Sequence, residues 1–231
     1  MRLAGLLLLA ASVAAGPAAA DNPRTTERAF GDPDAPVTLT EFSSLTCPHC
    51  ATFHVETLPR IKAEYVDTGK VRVVYHDFPL DPLALAAAMT ARCVAPERYF
   101  GFLETLYASQ AQWARSQDPL RELEQLARLA GLSPSALRDC LNDQELLTSI
   151  RSRQAEAERQ HGITSTPSFI VNGEKIIGAQ PFERFQSAID QALATAPAVD
   201  QPEQPEPAAS TDAAATWWSG LKAWWQAALA R

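Results

Sequence analysis

The sequence has no internal repeat, no apolar run of the roughly 20 residues a membrane-spanning helix needs, and no excess of basic charge. The missing repeat leaves one ordinary core to be built. Against 20 Lys and Arg stand 27 Asp and Glu, a formal charge of −7. An acidic surface of this kind argues against nucleic acid as the partner. Cysteine is scarce as well: there are four, Cys47, Cys50, Cys93 and Cys140. No second CxxC accompanies the one at 47–50, so no four-cysteine zinc site can be assembled from paired motifs.

What is present begins with a leader. Arg2 precedes the apolar run Leu3–Ala15, which is followed by Gly16-Pro17-Ala18-Ala19-Ala20. A charged start, a short apolar core and small residues at the end form a secretory signal, with cleavage expected after Ala20. An uncleaved anchor is the alternative, but the run is too short and Gly16-Pro17 breaks it. No cysteine follows the cleavage point, so no lipid anchor is expected. Cleavage removes one positive charge and no acid, leaving a net charge of −8. The expected destination is an oxidising compartment, the bacterial periplasm or cell envelope, where disulfides persist.

The local patterns divide the chain. Residues 21–35 are a turn-rich lead-in. Val37–Ser43 alternates as a strand, 48–66 has helical spacing, Thr68-Gly69 stops it, and Val71–His76 is a second strand. Strand, helix, strand at this spacing predicts a βαβ unit with parallel strands over 36–80. Residues 81–162 carry helical signal only, with Asp81-Pro82 and Ser133-Pro134 as helix starts. Within 163–196, Ser168–Val171 and Lys175–Ile177 flank Asn172-Gly173, a primed-turn hairpin, and a last helix follows from Phe182. The fold class is therefore α/β: a βαβ…ββα mixed sheet interrupted by an all-helical insertion. Residues 197–212 form a Pro-rich acidic linker, and 213–231 a Trp-rich amphipathic helix.

The chemistry is expected at Cys47-Pro48-His49-Cys50, where a strand hands over to a helix. Cys47 would cap the helix and receive its free N–H groups, which favours a thiolate. Pro48 suits the first helical position. Cys50, one turn in, would be the more buried thiol. His49 adds a donor beside Cys47. Cys47 is then the attacked and leaving sulfur, and the disulfide a strong oxidant. Metal binding through Cys47, Cys50 and His54 is an alternative. A purely structural disulfide is another, although so short a loop constrains the unfolded chain little.

These residues, with the leader, the helical insertion and Thr166-Pro167 before a strand, resemble the DsbA-like branch of the thioredoxin superfamily over Pro36–Ala194. The resemblance implies thiol:disulfide exchange without a bound cofactor. Statistics alone would make the Thr166–Pro167 bond trans; the resemblance implies cis. It also implies that Thr166 holds an extended substrate peptide beside Cys47. Glu41 matches the acid buried beneath the CxxC in relatives, and would take the proton of Cys50. An ordinary edge-facing glutamate is the alternative reading of that position. The implied partners are cysteine-containing exported proteins still folding, and a quinone-linked, DsbB-like membrane protein that reoxidises the enzyme.

Thr166 departs from the best-known oxidase of the family, which has Val there, and lies nearer the isomerase pattern. Isomerases carry an N-terminal dimerisation domain, for which the residues before Val37 leave no room. The expectation is accordingly an oxidase, with isomerase or reductase, or a metal- or partner-binding module, as alternatives. Cys93 and Cys140 are expected to pair and staple the insertion, in line with related sequences; two separate buried thiols are the other reading. Trp217, Trp218, Trp224 and Trp225 share one face of the last helix. That face suits either a membrane surface or an apolar groove on a protein.

Overall fold

The computed structural model describes residues 22–196. The leader 1–20, the linker from 197 and the Trp-rich segment 213–231 lie outside the described residues.

A five-stranded sheet organises the fold, with strand order β1-β3-β2-β4-β5. β2 (Val37–Ser43) is central: it pairs parallel with β3 (Val71–Asp77) and antiparallel with β4 (Ser168–Val171). β5 (Glu174–Ile177) closes the expected hairpin. Its turn places Asn172 and Gly173 at φ 44° and 97°, the positive values a primed turn requires. The sequence reading missed β1 (Arg28–Phe30), which pairs antiparallel with β3 inside the lead-in. Three residues, Arg-Ala-Phe, are too few to show a period of two.

The helical run after β2 covers residues 48–66 but is not a uniform α-helix. α1 (Pro48–Thr52) passes into a π-turn at Phe53–Thr57, then α2 (Leu58–Ile61) and a second π-turn at Lys62–Val66. Pro59 explains the first: it has no N–H to offer the Val55 carbonyl, and Leu58 instead donates back to Phe53. The run packs through Phe53, Leu58, Ile61 and Tyr65 on Val37, Leu39, Val71 and Val73 of the sheet. α9 (Phe182–Thr195) joins the same core through Phe182, Phe185 and Ile189.

Between the two sheet segments the insertion is helical, as expected. It comprises α3 (Pro82–Cys93), a 3₁₀ turn at Pro96–Arg98, α4 (Tyr99–Ala108), α5 (Gln110–Trp113), α6 (Pro119–Leu129), α7 (Pro134–Leu141) and α8 (Gln144–His161). The caps read from sequence are in place: Asp81 accepts from Ala84 N–H at 2.8 Å and Ser133 from Ala136 N–H at 3.2 Å. Gly162, at φ 60°, ends α8 in the left-handed conformation. A disulfide joins Cys93, at the end of α3, to Cys140 in α7. The insertion has its own core, centred on Leu103, Leu106, Tyr107 and Trp113. Cys47 and Cys50 belong to this core and not to the one beneath the sheet, so the reactive motif is wedged between sheet and insertion.

Candidate active site

Strand β2 delivers the motif. Its last residue, Ser43, is followed by a short turn, and the chain enters α1 with Cys47 as N-cap in extended conformation (φ −79°, ψ 119°) and Pro48 first in the helix. Two side chains from the insertion fix this turn. Gln110 Nε2 donates to the carbonyls of Leu45 (2.8 Å) and Cys47 (3.0 Å). Thr46 Oγ1 donates to Asp81 Oδ2 at 2.5 Å, so the carboxylate that caps α3 also holds the loop.

Both thiols are free, and their surroundings differ sharply. Cys50 is completely buried and Cys47 keeps 7% of its surface exposed, while Pro48 and His49 are exposed. The pKa of Cys47 is lowered to about 5, first by the hydrogen bond from the Cys50 thiol. Partial burial opposes the shift; the Thr166 side chain and the N–H groups of Cys50 and His49 add to it. The Cys47 side chain makes no cap hydrogen bond of standard geometry, so these N–H groups act on the sulfur as oriented dipoles at longer range. His49 thus contributes its backbone here, where the sequence suggested its ring. Cys50 moves the opposite way: burial pushes its thiol well above the ordinary value, and the neighbouring Cys47 pushes it further.

Thr166 and Pro167 face this pair. Their peptide bond is cis. Cys47 Sγ lies 3.4 Å from the Thr166 carbonyl, to which its thiol form donates. Thr166 Oγ1 is buried without a hydrogen-bond partner among the described residues, so its hydroxyl is the donor available to a Cys47 thiolate.

Glu41 is 1% exposed on the central strand, which rules out an edge-facing glutamate. Its Oε1 lies 2.9 Å from His54 Nε2, also buried, and it makes no direct hydrogen bond to Cys50. The hydrogen bonds that act on the Cys50 sulfur come from Cys47, which raises its pKa, and from the Ser43 side chain and the Ser44 backbone, which lower it. His54, a metal-ligand candidate in the sequence, therefore turns to Glu41, and no group of three metal-binding side chains occurs among the described residues.

Several site residues carried no sequence signal. Tyr107, from α4, donates to Ser43 Oγ at 2.9 Å, shares a 2.7 Å hydrogen bond with the Tyr75 hydroxyl, and stacks on the His54 ring with centroids 3.9 Å apart. Tyr107, Tyr75, Ser43 and Gln110 sit in patterns that read as ordinary helix or strand, and only the docking of the insertion on β2 and β3 brings them together. The i, i+4 spacing that places His54 one turn from Cys50 did single it out in the sequence, but as a metal-ligand candidate and not as the partner of Glu41.

Comparison with known proteins agrees with this geometry. Residues 24–191 match the family model described as Thioredoxin. A Rickettsia conorii protein provisionally named a protein-disulfide oxidoreductase is 31% identical over 165 residues, which is 71% of this chain and 59% of the relative. The chain thus spans about three-fifths of the length of that relative. The crystal structure of Wolbachia pipientis α-DsbA1 is similar with a TM-score of 0.68 and 33% identity, covering 73% of this chain and 91% of that one. A protein-disulfide isomerase from Novosphingobium aromaticivorans has TM-score 0.63 and 27% identity, covering 72% and 97%. By the family match and by similarity to these relatives in sequence and fold, the chain belongs to the DsbA-like branch of the thioredoxin family.

Proposed function

We propose that the protein is an exported thiol:disulfide oxidoreductase that donates the Cys47–Cys50 disulfide to cysteine-containing proteins. The observation that carries this is the opposed perturbation of the two thiols. A Cys47 pKa near 5 means that the reduced site holds a stabilised thiolate at neutral pH. Stabilising the reduced form makes the disulfide oxidising. A substrate thiolate attacks Cys47, the more exposed sulfur, and forms a mixed disulfide while Cys50 leaves. A second substrate thiol then attacks the substrate's sulfur in that mixed disulfide, releasing an oxidised substrate and a reduced enzyme. The Thr166 backbone beside Cys47 suits an extended peptide bound as an added strand.

In this reading the Glu41–His54 pair holds the floor beneath Cys50. The periplasm or cell envelope is the site of action, following the leader at 1–20, and a quinone-linked membrane protein restores the disulfide. Among the described residues no helix is long and apolar enough to cross a membrane. The face carrying Trp217, Trp218, Trp224 and Trp225 is then a docking element for a membrane surface or a protein. Isomerase activity is the second reading. It is favoured by Thr166 in place of Val and by the name of the Novosphingobium relative.

Equilibration with glutathione buffers, read by mass after alkylation, tests the assignment. An oxidase is reduced at glutathione ratios that leave ordinary structural disulfides intact, and Cys47→Ser removes the exchange. A site more reducing than glutathione contradicts the oxidase. A wild-type protein that exchanges no more than Cys47→Ser contradicts the enzyme altogether.

A further inference from the structure

In the proposed exchange Cys50 is the leaving group, yet the fold makes it a poor one. The thiol is fully buried, and burial disfavours the thiolate that must form. Leaving ability falls as the pKa of the departing thiol rises. Some group therefore has to meet the charge as it forms. Glu41 is not placed to do so: its Oε1 is engaged by His54, and it makes no direct hydrogen bond to Cys50.

The structure provides a row of hydroxyls instead. Ser43 faces Cys50 from the end of β2. Its oxygen accepts from Tyr107 (2.9 Å), and the Tyr107 oxygen is bonded to the Tyr75 hydroxyl (2.7 Å). All three side chains are buried. With Tyr107 donating to it, the Ser43 oxygen has its own hydrogen free for the sulfur. Each O–H in such a row polarises the next, and in a low-dielectric interior the effect is stronger than in water. The His54 ring stacks on Tyr107 at 3.9 Å and is itself held by Glu41, which fixes the phenol in place.

We propose that Ser43 is a catalytic residue whose hydroxyl donates a hydrogen bond, keeping its proton, to Cys50 sulfur as that sulfur leaves, and that Tyr107 is the positioning residue that orients and polarises Ser43. The proposal rests on the exchange reading of Cys47–Cys50. In the step itself, the substrate thiolate forms a bond to Cys47 and the Cys47–Cys50 bond breaks. The bonding pair goes to Cys50, which is reduced as the substrate sulfur is oxidised. Cys50 then takes up from solvent the proton that the substrate thiol had given up.

The test is the single-turnover reduction of the oxidised protein by glutathione, followed by quenched alkylation of Cys50. Ser43→Ala is expected to slow Cys50 release about ten-fold, the size of one lost hydrogen bond to a charged group. Tyr107→Phe keeps the ring and the stack and is expected to slow release about three-fold. Because the two hydroxyls act in series, the double variant should be no slower than Ser43→Ala alone. The Cys47 thiolate pKa, measured by ultraviolet absorbance on the reduced proteins, should stay the same in all of them, whereas a merely loosened site would move it as well. An unchanged rate in Ser43→Ala overturns the proposal. So does a Tyr107→Phe effect that is equally large with and without Ser43, or a slowing matched by a shift of the Cys47 pKa. A wild-type disulfide that glutathione does not reduce overturns the exchange reading first, and Ser43 with it.

Discussion

The two cysteine pairs of this molecule use one kind of side chain for opposite ends. Cys93 and Cys140 are 47 residues apart, bridge α3 and α7, and are joined. Cys47 and Cys50 are separated by two residues and stand as free thiols, one pKa lowered and the other raised. The long loop gives the first pair its value: its closure removes much freedom from the unfolded chain. The short loop gives the second pair almost none, and leaves its bond free to be made and broken. Placement completes the contrast, since Cys47 sits at a helix start beside the cis Thr166–Pro167 bond and Cys140 is fully buried in the insertion core against α3.

Three measurements sharpen or break this contrast. The largest effect should come from Cys93→Ser/Cys140→Ser. Loop entropy predicts a loss of about 4 kcal/mol, seen as a lower midpoint in guanidinium unfolding. The glutathione equilibrium of Cys47–Cys50 should not change; if it does, the staple also regulates the site.

A smaller effect should appear in pH dependence. The folded Cys47 pKa, about 5, lies below the ordinary value of 9.0, so its ionisation stabilises the reduced protein. That contribution is complete above pH 9, shrinks as pH falls, and is gone below about pH 5. Cys50, whose pKa is raised, works against the reduced fold only above the ordinary thiol range. The oxidised form has no thiol at either position. Reduced protein should therefore unfold at higher denaturant than oxidised protein at neutral pH, with the gap closing towards pH 5. A gap that widens on acidification would contradict the Cys47 thiolate.

The smallest effect concerns the coupling of the loop to the insertion. Asp81→Ala removes both the α3 cap and the Thr46 contact, and should cost about 1 kcal/mol in thermal unfolding. It should also raise the mobility of the 44–47 turn, read as faster amide exchange at Cys47. Stability lost without faster exchange would show that Asp81 acts on the helix alone.

Much of the fold was legible because its signals are local. Val37–Ser43 alternates, Asn172-Gly173 has few turns open to it, and Asp81, Ser133 and Gly162 mark helix ends through their own side chain or left-handed backbone. β1 was not legible, since its pairing with β3 is decided by tertiary contact. Nor were the π-turns, although Pro59 was in plain sight, because removing one donor does not say how the helix will repair the gap.

At the site the same division holds. The sequence by itself determined which sulfur caps a helix, which lies inside, and that a Thr-Pro bond precedes a strand, because each depends on neighbours within a few residues. Tertiary structure alone decided that Glu41 meets His54 rather than Cys50, and that Ser43, Tyr107 and Tyr75 align behind the buried thiol. Those contacts join residues between 13 and 64 positions apart. Their cause is the docking of a helical insertion onto a sheet, and side-chain hydrogen bonds across such a junction leave no periodic mark in the chain.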